Sequence, residues 1–274
     1  MRDKIKVSLI ASSVRPQLYE DFFKSLKGTS VEYEVVFVGN IDLRNPALKE
    51  QIECEVYCEY SKETIYFGNH WKYIRTKNIK PAQCYEIARR NAVGETIVWV
   101  ADDCEFPNDV IGKAYTYWKA SKNNKLILSI QTKESGYNLP QGQFFDMTKH
   151  RLHAYKMETP LMAPLGMMSR KFLDELGGFD KRFVCGQYEN QVVVRAMKKG
   201  GYVVIFGGEK CYVDIDHLGK SLRISESVNE KDFLNRPFAK GYQKDREILM
   251  LEDFQPYEDK DILTKSQSHK GVWD

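Results

Sequence analysis

No apolar run among the 274 residues approaches the length needed to cross a bilayer, so no transmembrane segment is expected. The six cysteines, Cys54, Cys58, Cys84, Cys104, Cys185 and Cys211, lack the paired spacing of a metal-ligand set. A chain of this length needs no disulfide staples, and the pattern points to a reducing compartment. Excess charge of one sign is missing too: 41 Lys and Arg against 38 Asp and Glu leave a net charge of +3, too small to argue for a nucleic-acid partner. The start, MRDKIKVSLIAS, runs straight into strand-like sequence without the apolar stretch of a signal peptide, so a cytoplasmic protein is expected, with peripheral membrane association left open. No glycine occurs in SSVRPQ after the first strand, which argues against the Gly-rich phosphate loop of a nucleotidyltransferase. No internal repeat stands out.

What is present is an ordinary globular composition, 42% hydrophobic and 29% charged, whose length fits one large α/β domain with an appendage. IKVSLIAS, from Ile5 to Ser12, reads as a buried strand, LYEDFFKSL as a helix, and YEVVFVGN, from Tyr33 to Asn40, as a strand covered on both faces. Between Ile41 and Asn78 the pattern has no clean period, and only short strands are expected. PAQCYEIARRNAVGE reads as a helix ending near Gly94, and ETIVWVADD as a strand ending in two carboxylates. PNDVIGKAYTYWKASKNN is a helix capped by Asn108 or Asp109, and KLILSIQTK a further strand. This alternation argues for a parallel sheet with its functional groups at the carboxyl ends of the strands. After about Gln131 the sequence becomes loop-rich, then yields the helices SRKFLDELGG and ENQVVVRAMKKGG and the strand YVVIFGG. The charged tail over 223–274 carries aromatic and aliphatic residues able to dock on the main domain.

Three groups of residues invite chemistry. Asp102, Asp103 and Glu105 follow a buried strand, and such carboxylates suit Mg²⁺ or Mn²⁺, although an acidic capped turn would look the same. Glu189 opens an apolar helix, either as a general base or as a carboxylate favoured there by the helix dipole. His217, in HLGKS, is a metal or diphosphate ligand or an ordinary loop histidine, and Lys220 and Arg223 lie near it in sequence. The aromatic segment YFGNHWKY, from Tyr66 to Tyr73, reads as a buried cluster ahead of a sugar-stacking platform.

In this order and on this frame, VSLIASSVRP, IVWVADDCEFP and GMMSRKFLDELGGFDKRF resemble the family 2 glycosyltransferases over roughly Val7 to Ser221. The resemblance implies a GT-A (Rossmann-like) α/β fold, a mixed, mostly parallel sheet flanked by helices. It would occupy residues 1–222, with a nucleotide-sugar half (1–130), an acceptor half (131–222) and the extension beyond. It implies Asp103 as the metal-binding aspartate, assisted by Glu105 and His217, and Asp102 facing ribose or metal. Ser12 and Arg15 match the loop along the nucleotide, Arg89 or Arg90 an arginine near the diphosphate, and Glu189 the catalytic carboxylate. The implied reaction is inverting and metal-dependent. The donor would be a nucleoside-diphosphate sugar, taken as a UDP-sugar, and the acceptor a glycan, lipid-linked or small molecule. Three departures stand out: Ala101 replaces the leading carboxylate of Asp-x-Asp, Gly39-Asn40 replaces a base-reading aspartate, and Glu189 replaces the usual aspartate. Ala101 and Asn190 keep open a non-catalytic nucleotide-sugar or glycan-binding module, which Glu189 and His217 oppose.

Overall fold

Continuous apolar runs become strands here because their side chains alternate between two covered faces. The computed structural model describes residues 5–40, 64–67, 71–76, 80–134, 145–146, 163–184, 186–207, 213–215, 244–245, 247–249 and 253–259. They form β1 (Val7–Ser12), α1 (Tyr19–Leu26), β2 (Tyr33–Gly39), β3 (Thr64–Phe67), β4 (Trp71–Arg75), α2 (Pro81–Asn91) and β5 (Thr96–Trp99). There follow β6 (Cys104–Glu105), α3 (Val110–Ala120), β7 (Leu126–Ile130), β8 (Thr132–Glu134), β9 (Phe145–Asp146) and β10 (Gly166–Ser169). The series ends with α4 (Arg170–Glu175), α5 (Tyr188–Lys198), β11 (Tyr202–Phe206) and β12 (Val213–Ile215).

Among the described residues eight strands make one sheet in the order β11-β7-β10-β5-β1-β2-β4-β3, and β6-β12-β8-β9 make a second. β1 runs parallel to β2 and β5, β2 to β4, and β7 to β11. β10 is antiparallel to both β5 and β7, and β3 to β4. The sheet is therefore mixed and mostly parallel, as expected. The insertion of β10 between β5 and β7 is beyond the reach of periodicity, which marks a strand but not its neighbours.

Val7, Leu9 and Ala11 point to one face, where Tyr19, Phe22 and Leu26 of α1 and Ile111, Ala114 and Trp118 of α3 cover them. Ile10, Val36, Val38, Ile97 and Trp99 point to the other, beneath α2, Phe172 and Leu173 of α4, and Val192, Val193 and Ala196 of α5. Each large side chain so buried contributes about 1.5–3 kcal/mol. Trp71 and Tyr73 are buried, with Trp71 against Tyr19, Phe23 and Phe37, so this part of the aromatic segment is core; residues 68–70 lie outside the described residues.

Local signals held in part. Asp109 caps α3 by accepting from the Gly112 N–H at 3.2 Å, and it also accepts from Ser30 N and Oγ at 3.0 and 2.6 Å. Gly94, by contrast, is not the glycine that ends α2: the helix stops at Asn91 with Ala92 extended, and Gly94 has no positive φ. A Cβ at Gly94 would lie 2.6 Å from Ser8 Oγ and 2.7 Å from Ser8 N, so close strand packing explains the residue. The strand read through ETIVWVADD stops at Trp99, because Cys104 and Glu105 leave the main sheet to pair with β12.

The described parts of the tail do dock. Ile248 and Leu249 pack with Phe183 and Ala82, Tyr257 joins the core beneath α2, and Pro256 bridges to Asp180. No helix among the described residues is long and apolar enough to cross a membrane.

Burial pushes the Cys84 thiol up to about 12, against a weaker opposing hydrogen bond from Ser12. A thiol whose folded pKa is raised adds stability that is complete below the unfolded pKa and lost as pH climbs toward the folded value. Cys84 is expected to resist iodoacetamide in the folded chain at about pH 9, where a free thiol is largely ionised, and to react in urea. Peptide mass spectrometry reads the difference.

Candidate active site

Because β1 and β5 are parallel neighbours, their carboxyl ends open on the same edge of the sheet. The chain leaving β1 is fixed first: Ser13 donates its N–H to Val38 O at 2.9 Å and accepts at its own carbonyl from Tyr73 Oη at 3.3 Å. Gly39 stands against this loop. A side chain there would overlap the Ser13 carbonyl oxygen and crowd Tyr73 Oη, so the position cannot carry a base-reading aspartate, while Asn40 is exposed.

From the other side the turn after β5 presents Asp102. Its Oδ2 accepts from Ser13 Oγ at 3.0 Å, Val14 N at 2.9 Å and Arg15 N at 3.0 Å. Its Oδ1 accepts from Arg15 Nε at 2.7 Å and pairs with Arg15 Nη2. Five donors fill the roughly four lone-pair positions of a carboxylate. Tyr19 Oη lies 2.6 Å from Ser13 Oγ; since Ser13 donates to Asp102, Tyr19 is the donor in that pair. Asp103, also buried, receives Arg15 Nη1 on Oδ2 at 2.8 Å. Burial alone would lower the pKa of Arg15, but Asp102 and Asp103 more than offset it and hold the guanidinium charged above its usual range.

The cation implied by the resemblance can be tested against this donor set. Asp102 has no lone pair to offer, Asp103 shares Oδ2 with a guanidinium, and no three His, Cys, Asp or Glu gather as ligands among the described residues. These residues do not by themselves make a divalent-cation centre. The single guanidinium of Arg15 is shared between the two carboxylates.

Glu189 is buried in the first turn of α5. Gln187 precedes it in the left-handed region (φ 66°) and accepts from Asn190 Nδ2 at 2.8 Å. Tyr85 of α2 is the strut between the end of β5 and the start of α5. Its hydroxyl donates to Val100 O, and its ring lies 5.0 Å from Tyr188 and 5.8 Å from Phe179. Burial, then Cys104, Glu189 and Asp102, push the Tyr85 phenol well above its ordinary range.

Not every expected residue is brought here. Ser12 hydrogen-bonds Cys84 beneath the loop. Arg89 donates to Glu86 at 2.9 and 2.6 Å and pairs with Asp174; Arg90 donates to Glu86 at 2.7 Å and to Tyr257 O at 2.7 Å and pairs with Asp259. Both arginines, in the last turn of α2, thus serve the buried Glu86 and not the carboxylates after β5. Glu105 lies in β6, in register with Asp214, as Cys104 is with Ile215. His217, Lys220 and Arg223 lie outside the described residues. Ser13, Tyr19 and Tyr85 escaped the sequence reading. The serine pair before Arg15 was the available signal for the first, while the tyrosines carried none beyond their place in apolar helices.

The architecture is that of the GT-A glycosyltransferases. Residues 1–349 of S. aureus TarS superpose with a TM-score of 0.53 at 16% identity, over 77% of this chain and 60% of that one. The same fragment in complex with UDP gives 0.55 at 15%, over 91% and 67%. GalNAc-T7 with UDP, GalNAc and Mn²⁺ gives 0.55 at 14%, over 79% and 44%. At such identities the likeness shows the fold, and this chain spans less than two thirds of the first of these and under half of GalNAc-T7. No family model and no curated protein matches the sequence.

Removing the guanidinium would leave two buried carboxylates facing each other without a counter-charge. Arg15→Ala is expected to cost about 3–5 kcal/mol in urea unfolding, and Arg15→Lys, which keeps the charge but not the fork, less.

Proposed function

We propose that the chain is an inverting glycosyltransferase that moves a sugar from a nucleoside-diphosphate sugar to an acceptor hydroxyl. The observation that carries this reading is the buried Glu189 in the first turn of α5 on a GT-A framework, a carboxylate that acts with Asp102 to raise the pKa of Tyr85. A carboxylate so placed takes the proton from the acceptor hydroxyl as its oxygen attacks the anomeric carbon. The nucleoside diphosphate leaves from the opposite face with the electrons of the broken C–O bond. Positioning accounts for most of the acceleration, and the sheet edge supplies it by fixing the 13–15 loop and the start of α5 on rigid elements.

The donor lies along the loop from Ser12 to Arg15, where the Val14 side chain is exposed beside the Asp102 lock. UDP is the nucleotide of this proposal, supported by the UDP complexes of the TarS fragment and GalNAc-T7. The acceptor is a glycan, lipid-linked or small molecule.

One observation favours a second reading, a non-catalytic nucleotide-sugar-binding module. Asp102 is saturated and Asp103 is held by Arg15, so the Asp-x-Asp segment serves as a structural lock. A panel of nucleotide-sugars, assayed for nucleoside diphosphate release with Mn²⁺, with Mg²⁺ and with chelator, separates the two. Glu189→Gln, folded and still binding donor, is expected to lose about 10²–10⁴-fold in turnover, the usual worth of a general base. Turnover unaffected by that substitution would sink the role of Glu189. Donor binding without turnover in the wild-type chain selects the module.

A further inference from the structure

The loop that delivers Glu189 is held by groups the reaction itself does not use. Gly177 and Gly178 take φ of 87° and 80°, and a Cβ on Gly178 would overlap the Glu86 carboxylate. Asp180, fully buried, accepts from Arg182 N and Nε at 3.0 Å, from Arg182 Nη2 at 2.7 Å and from Gln255 N at 3.1 Å. Closest in the chain to α5 comes a contact from far along the sequence. Asp245, also fully buried, accepts from Val184 N at 2.8 Å on Oδ1 and from Gly186 N at 2.9 Å on Oδ2. Gln187 follows with its positive φ, and Glu189 sits two residues beyond.

A buried carboxylate that accepts one amide on each oxygen fixes both the path and the direction of the backbone between those amides. An asparagine could not replace it, because its NH₂ would face one of the two N–H groups. Asp245 is itself held in place by Ile248 and Leu249, which pack on Phe183 and Ala82. A group from the tail thus sets the entry into the helix whose first turn carries the proposed base.

We propose that Asp245 is a positioning residue that orients Glu189 from the tail, a role that rests on the transferase reading above. The test uses the full chain with Asp245→Asn, and with Asp259→Asn as a control in the same segment, whose side chain is 98% exposed and pairs with Arg90. Asp245→Asn is expected to lower kcat by about 10- to 100-fold while donor KM holds, as for a group moved by a fraction of its reach, and to shift the acid limb of the kcat–pH profile. Asp259→Asn is expected to change neither. A folded Asp245→Asn with wild-type kcat and pH profile overturns the proposal, as does a parallel loss of kcat and donor affinity. If Asp245→Asn does not fold, Asp245→Glu, which keeps the charge on a longer arm, is judged by the same criteria. A wild-type chain that turns over no donor removes the transferase reading alone. Amide exchange then decides the placement: faster exchange over 184–190 in Asp245→Asn, with β5 unchanged, supports it, and unchanged exchange overturns it.

Discussion

A desolvated carboxylate must find donors, and the way Asp102 finds them organises the site. Its oxygens lie beyond the end of β5, and the nearest supply is the chain leaving β1, which the parallel β1–β5 pairing brings to the same edge. Two backbone amides, a serine hydroxyl and the Arg15 side chain converge on it. The cost of burying the charge becomes a constraint on the loop: once the amides of Val14 and Arg15 point at Asp102, the guanidinium has one direction left, and that brings Asp103 within 2.8 Å of Nη1. Gly39 belongs to the same device, since any side chain there would push the Ser13 carbonyl away.

The second wall is built by the same physics. Glu86, Asp180 and Asp245 are all fully buried, and each takes a backbone N–H from the segment between Gly178 and Gly186 or from the tail. Arg195 adds the cationic counterpart, donating to the carbonyls of Leu176 and Gly178 beneath the Phe254 ring. Burial lowers its pKa to about 10, against the pull of Asp180 and Glu86. The Gly-Gly-Phe-Asp segment is thus a packing device whose result is the placement of α5, and Glu189 inherits its position from it. Arg89 and Arg90 both donate to Glu86 in this wall.

How much of this was legible differs by level. β1, β2, β5 and β7, the four longer helices and the Asp109 cap could be read from the chain, because period and capping are local properties of a dozen residues. Glu189 was legible as a carboxylate in the first turn of a helix, and Asp102 and Asp103 as carboxylates following a buried strand, although that strand stops sooner, at Trp99. The antiparallel insertion of β10, the hairpin of β3 and β4 and the departure of β6 to a second sheet were not legible.

The sequence by itself determined the α/β layering, because alternating apolar residues dictate which faces must be covered whatever lies on top of them. Only the tertiary structure decided what the charged residues do. Hydrogen bonds and ion pairs act over about 3 Å, and the pairs that matter here join residues up to 89 positions apart in the lock and 61 in the tail contact. An arginine such as Arg15 or Arg90 has no role readable from its neighbours in the chain. Its role is set by whichever carboxylate the sheet order brings within reach.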